Sequence, residues 1–245
     1  MHSLYDIPLY YISFHKQPAL EQMLRSVGFK NINQFQAIDG RTMDPVSLLK
    51  EKTISIKAYS DLITQRNEHS ALPSTGAVGC ALSHMELWKK CADQFEYIVI
   101  VEDDLILRAI KKEDEENILA ALAEPKGAFI SPSSNKIKKG DFFWGTHLCF
   151  ISKGAAKALL KTALPIEIQV DAYISHMNNL NYINLQGYPI AKQSAHVSSI
   201  QDLCIKCMLP QNLTTYAMML LGLIAIVLIL VISVRLLYKC RKSKV

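Results

Sequence analysis

Three consecutive carboxylates, Glu102, Asp103 and Asp104, follow directly on the apolar run Tyr97 to Val101. Carboxylates crowded at a strand end repel one another unless a cation joins them. Their oxygens suit Mg²⁺ or Mn²⁺ bridging to a diphosphate. In an extended segment Glu102 and Asp104 point to one side and Asp103 to the other. The competing reading of an isolated acidic triplet is a solvated turn. Other candidates are scattered: Asp39 before Gly40, Gly76 and Gly79 behind Ser74 and Thr75, His84 and Glu86 shortly after, then His147, Asp171 and His196. Glycines at a helix start bring backbone N–H groups to ligand oxygens, or else serve helix–sheet packing. Asp39 equally fits a turn-forming Asp-Gly pair, and His84 a hydrogen-bonded core histidine.

These residues need elements to hold them. Ile7 to Phe14 reads as a buried strand, Pro18 to Val27 as a helix stopped by Gly28, and Asn33 to Ile38 as a second strand. Such a β-α-β unit favours a parallel sheet with ligands at its C-terminal strand ends. Residues 41–73 are polar and weakly periodic, suiting a loop-rich cover with short helical pieces. A helix over Ala77 to Ala92 follows the Ser74 and Thr75 caps. Tyr97 to Val101 is the strand before the triplet. Further helices are expected over Glu113 to Ala123, Lys153 to Ala163 and Asp171 to Asn179, with strands over Phe142 to Ile151 and within Tyr182 to Lys192. Alternation of this kind means an α/β fold.

Charge narrows the partners. Five of the 27 basic residues lie at or beyond Arg235 and no acidic residue does, which leaves 22 basic against 22 acidic before it. No clustered basic footprint for nucleic acid remains. From Tyr216 to Val234 the chain carries no charge, and about 20 apolar residues span a bilayer core. The expected organisation is a domain over residues 1–205, a linker over 206–215, a transmembrane helix over 216–238 and a basic tail over 239–245. The expected location is a membrane, with a single C-terminal anchor. Basic residues after the span place the tail in the cytosol. The opening residues, lacking a basic n-region and a cleavage site, instead keep the domain there, so the side stays open. Cys204 and Cys207 form a Cys-x-x-Cys pair without the partners of a zinc site.

The segment Ser74-Thr75-Gly76-Ala77-Val78-Gly79-Cys80-Ala81-Leu82-Ser83-His84, then Trp88-Lys89, then Ile98-Val99-Ile100-Val101-Glu102-Asp103-Asp104, resembles glycosyltransferase family 25, the lipopolysaccharide and collagen galactosyltransferases. Tyr11-Ile12-Ser13 looks like the family's opening strand, and Ala37-Ile38-Asp39-Gly40 like its next element. Gly145 to Ala155 resembles a later one, and Pro165 to Asp171 and Pro189 to Ile200 complete the order. The sequence departs from the family pattern at Cys149, where an aromatic is common, and lacks an acid just after Gly76. The resemblance implies a GT-A-like nucleotide-sugar-binding domain, Mn²⁺ or Mg²⁺ as cofactor, a uridine diphosphate sugar as donor, and inverting hexosyl transfer to a glycan, lipid-linked or protein hydroxyl. It implies Asp104 as metal ligand with Glu102 and His196, and Asp171 as catalytic base. Donor contacts fall to Ser13, Asp39, Gly76, Gly79, Glu102 and Asp103. The competing function is a membrane-anchored pseudoenzyme that binds a partner without turnover.

Overall fold

The computed structural model describes residues 3–194 apart from 67, 69 and 134. The chain opens with a 3₁₀ turn at Leu4–Asp6 and strand β1 (Leu9–Ser13), continuing into helix α1 (Pro18–Val27) and strand β2 (Ile32–Gln36). Pro18 starts α1, where its missing N–H costs nothing. Gly28, at φ 121°, ends it by donating to the carbonyls of Leu24 and Arg25. A second 3₁₀ turn at Gly40–Thr42 leads into two short helices, α2 (Pro45–Lys50) and α3 (Ile56–Thr64). These are the helical pieces expected in the polar stretch.

Helix α4 (Thr75–Gln94) is the longest of the described residues, with Ser74 Oγ accepting from the Ala77 N–H at its start. It feeds β3 (Tyr97–Glu102), a two-residue turn, and β4 (Leu105–Leu107). Helix α5 (Lys112–Ala123), β5 (Gly127–Ile130), β6 (Leu148–Ser152), α6 (Lys153–Leu160), α7 (Val170–Asn179), β7 (Asn184–Gln186) and β8 (Ala191–Gln193) follow. The main sheet has the order β2-β1-β3-β6-β5-β7. β1 runs parallel to β2 and β3, β6 runs antiparallel to β3 and β5, and β5 is parallel to β7. One strand of six is therefore reversed, and the sheet is mostly parallel as expected. β4 and β8 form a separate antiparallel pair.

Alternation along the strands builds two cores. Ile98, Ile100, Ala128, Ile130, Cys149 and Ile151 face the layer of α3, α4, α6 and α7. Val99, Val101, Phe129, Leu148 and Phe150 face α1 and α5. Both faces of the central strands are buried, which explains their continuous apolar runs. Trp88 of α4 stacks on Tyr173 of α7 at 6.1 Å between centroids. Its full burial contributes on the order of 2 kcal/mol.

Two elements depart from the expectation. β5 lies between Lys126 and Ser131 and was not expected, because four residues buried on both faces show no alternation. The strand expected from Phe142 begins only at Leu148. Residues before it spend their backbone groups elsewhere: the Phe143 N–H donates to Ser175 Oγ at 3.4 Å, the Gly145 N–H to Asp171 Oδ2 at 3.1 Å, and the Trp144 carbonyl accepts from the Ser133 N–H at 2.8 Å. Gly145 holds φ 91°, a value that favours glycine.

The membrane expectation is corrected. No helix among the described residues is long and apolar enough to cross a bilayer. α4 is long enough, but it carries His84, Glu86, Lys89, Lys90 and Asp93 and packs on the sheet. The linker at 206–215, the span expected at 216–238 and the tail at 239–245 lie outside the described residues, and the single-pass anchor is withdrawn.

Gly79 of α4 fixes how closely that helix lies on the turn after β2. A Cβ there would stand 2.4 Å from the Ile38 carbonyl oxygen and 2.6 Å from the Gly40 nitrogen. A Cβ on Gly40 would in turn meet the Thr75 carbonyl oxygen at 1.8 Å. Helix propensity alone would reward Gly79→Ala by about 1 kcal/mol, but overpacking against backbone costs about 1–3 kcal/mol or more. Gly79→Ala is expected to lower the urea midpoint of unfolding, with an unchanged slope; a raised midpoint would refute the close approach.

Candidate functional site

The site is assembled at the carboxyl end of β3. Parallel pairing sets Ile12 of β1 opposite Glu102 of β3, so the next residues, Ser13 and Asp103, come level. Ser13 Oγ, 2 % exposed, donates to Asp103 Oδ2 at 2.7 Å and accepts from Gln17 Nε2 at 3.1 Å. Asp103 itself is exposed. Asp104 completes the turn into β4, whose register puts Leu105 opposite Gln193 of β8. Gln193 Nε2 therefore reaches Asp104 Oδ2 at 2.6 Å, and the Ser194 N–H donates to the Asp104 carbonyl at 2.7 Å. The other carboxylate oxygen, Oδ1, is buried with no hydrogen-bond partner among the described residues. Burial, then the charges of Glu102 and Asp103, push the Asp104 carboxyl up to about 6.

Glu102 turns the other way, toward α4. Its Oε1 accepts from Thr146 Oγ1 at 2.5 Å and lies 3.3 Å from Nε2 of the fully buried His84. Burial opposes its ionisation, but the hydrogen bond and charge of His84 and the hydroxyl of Thr146 outweigh it and hold the carboxyl below its ordinary range. His147 is also wholly buried. Neither ring nitrogen meets the criteria for a hydrogen bond among the described residues, although the Ala191 backbone lies close enough to favour the charged ring. Burial lowers the pKa of His147 against the pull of Glu102.

Asp171 opens α7 and is 7 % exposed. Its Oδ2 accepts from the Gly145 N–H and its Oδ1 from the Ala172 N–H at 2.8 Å. Burial, then the charges of Glu102, Asp171 and Asp104, hold the Cys80 thiol well above its usual range.

Other sequence candidates fall differently. Asp39 caps the 3₁₀ turn, and its two oxygens take Nε and Nη2 of Arg41, each at 2.8 Å. The hydrogen bond from Arg41 holds its carboxyl low. Gly79 packs against Ile38 and Gly40 in the turn after β2, and Gly76 stands in the first turn of α4. Glu86 pairs with Lys89 at the surface. His196 lies outside the described residues. The triplet does not share a single ligand cluster: each acid takes a different partner. Cys80, Thr146 and Gln193 were not singled out. The i,i+4 spacing of Cys80 and His84 is a signal for the first; Gln193 reaches Asp104 only through the β4–β8 register.

A cavity of about 420 Å³ between α4 and α7 is lined by Met85, Trp88, Ile166, Tyr173 and Met177 among others, and by none of the carboxylates above. It is a feature of the helical layer, not of the strand ends.

An Asp104 carboxyl titrating near 6 carries a stability consequence. An unfolded aspartate ionises near 3.9. Below about pH 4 both states are protonated. Between about 4 and 6 the unfolded chain ionises first and the native state loses stability, and above about 6 the loss is complete. Two units correspond to about 3 kcal/mol at most, reduced by solvent screening of a partly buried group. Asp104→Asn is expected to melt higher than the parent at pH 7 and equally at pH 4. Equal melting at both values would refute the burial of an unsatisfied charge.

Comparison with known proteins now bears on this arrangement. A family model described as glycosyltransferase family 25 (LPS biosynthesis protein) matches residues 7–143, more than half of the chain. A Drosophila melanogaster protein described as a glycosyltransferase 25 family member is 22 % identical over 179 residues, which are 66 % of this chain and 28 % of that protein. The lipooligosaccharide biosynthesis protein lex-1 of Haemophilus influenzae is 49 % identical over 41 residues, 16 % of this chain and 14 % of that protein. The chain thus matches well under two thirds of the length of either relative. Ser13, Asp39, α4 and the acids after β3 all fall inside the matched residues, whereas Asp171 lies beyond them. From the strand-end carboxylates, the glycine-cornered helix and the family match together, the chain belongs to glycosyltransferase family 25.

Proposed function

We propose that this domain transfers a hexose, galactose or glucose, from a uridine diphosphate sugar to a glycan, lipid-linked or protein hydroxyl, with inversion, on a GT-A-like fold. The observation that carries the reading is the set of three acids at the carboxyl end of β3, joined through Asp103 to Ser13 on the neighbouring parallel strand. Ligands of open α/β sheets bind at such strand ends.

Asp104 suits a hard divalent cation, since its buried Oδ1 has no hydrogen-bond partner among the described residues and its carboxyl is held protonation-prone by burial and then by neighbouring negative charge. Mg²⁺ and Mn²⁺ are commonly held by one or two carboxylates with the remaining positions filled by water and phosphate. A cation bound there supplies charge neutralisation to the departing diphosphate. Asp103 and Ser13, already hydrogen-bonded, are positioned for ribose hydroxyls. Glu102 ties the middle of α4, through His84, and the segment ahead of β6, through Thr146, to the strand end. Asp171 is the proposed base, taking the proton of the attacking hydroxyl on the face opposite the leaving group. The two backbone N–H bonds it accepts hold its carboxylate in place on α7.

Titration calorimetry of UDP-galactose and UDP-glucose with Mn²⁺ or Mg²⁺ tests the reading. Binding should require the cation and disappear in Asp104→Asn. Asp171→Asn should retain donor binding while lowering kcat about 10²- to 10⁴-fold. Absence of donor binding with either cation would sink the proposal.

A further inference from the structure

Cys80 and His84 stand one turn apart on α4, so their side chains share a face of the helix. Glu102 reaches that face from the end of β3. Cys80 Sγ, His84 Nε2 and a carboxylate oxygen of Glu102 all lie within 4.8 Å of one another, the only such trio of potential ligands among the described residues. We infer that these three side chains form a binding site for a thiophilic divalent cation, zinc above all, distinct in its donor set from the oxygen ligand offered by Asp104.

The chemistry of the donors selects the ion. A thiolate, an imidazole and a carboxylate are the protein ligands of four-coordinate zinc with one position open to water or substrate. Hard Mg²⁺ prefers an all-oxygen shell, and a sulfur donor tilts the balance further toward zinc. The site is also built in advance. His84 is fully buried, with its ring 6.2 Å from that of Trp88. Thr146 Oγ1 donates to Glu102 Oε1, the oxygen that faces His84, and so fixes its direction. Cys80 and Glu102 are each partly exposed, which leaves the ion a way in. Binding releases to solvent the Cys80 thiol proton and, from a doubly protonated His84, the Nε2 proton, and leaves the imidazole with its one proton on Nδ1. The His84–Glu102 contact at 3.3 Å gives way to one bond from each residue to the ion. None of this depends on the chain acting as a transferase.

Cobalt(II) is the probe, since a thiolate ligand gives it a near-ultraviolet charge-transfer absorption. The full chain carrying Cys204→Ser and Cys207→Ser removes the Cys-x-x-Cys pair as a competing site. This parent should take up one equivalent of cobalt with that absorption, and zinc should bleach it. Adding Cys80→Ser should abolish the absorption, whereas Cys91→Ser should leave it intact. Thr146→Val should keep the band and weaken affinity about tenfold, the loss typical of an outer hydrogen bond to a ligand. No absorption in the parent, or an undiminished band after Cys80→Ser, overturns the inference.

Discussion

A carboxylate at the end of a strand buried on both faces finds no donor on its own strand, and the three acids at the carboxyl end of β3 must each be satisfied by a different neighbour. Glu102 is met by α4 and by Thr146 ahead of β6, Asp103 by Ser13 of β1, and Asp104 by Gln193 of β8. The demand is strong because the charges repel one another and an unsatisfied buried charge costs several kcal/mol. The remaining structure around the site follows from meeting it. β1 must lie parallel and in register with β3, the β4–β8 pair must fold over the turn, and α4 must bring His84 against the sheet.

The last of these rests on the absence of two side chains. Gly40 and Gly79 let the turn after β2 and the second turn of α4 come into backbone contact. The Ser83 hydroxyl then receives the Ile38 N–H at 3.0 Å one turn further along, and His84 follows beside it. The glycines act on the acids at one remove, by setting the height of a helix whose buried face carries Cys80 and His84. Cys149 belongs to the same packing. It sits on β6 opposite both Ile100 and Ile130, facing the helical layer, where its small volume leaves room for the helices.

Satisfaction is incomplete at Asp104, whose buried Oδ1 has no partner among the described residues and whose carboxyl is pushed up to about 6. Sites that store such local instability are commonly those that gain it back on binding a ligand. Ligands of open α/β sheets bind at the carboxyl ends of the strands, and that is where the donor is proposed to sit. The Asp171 carboxylate contrasts with Asp104, because both of its oxygens are held by backbone N–H groups. Asp104 leaves one oxygen unused among the described residues, whereas Asp171 is held in orientation through oxygens with about two acceptor sites each.

Much of this was legible in the chain itself. The β-α-β opening, the helix from Ser74, the apolar strand before the acids and the α/β class are local matters of period, caps and turn residues, which sequence records directly. What the chain did not record is anything set by partners far apart in it. The turn of Glu102 toward His84 and of Asp104 toward Gln193 separates two acids that strand alternation alone would put side by side. The delayed start of β6 depends on Asp171 and Ser175 capturing backbone groups 26 and 32 residues away. An apolar stretch likewise tells how hydrophobic a segment is; whether a helix crosses a bilayer is a matter of its structure, and the described residues contain none that does. Composition and period determined the elements, and long-range registration alone decided which side chains meet.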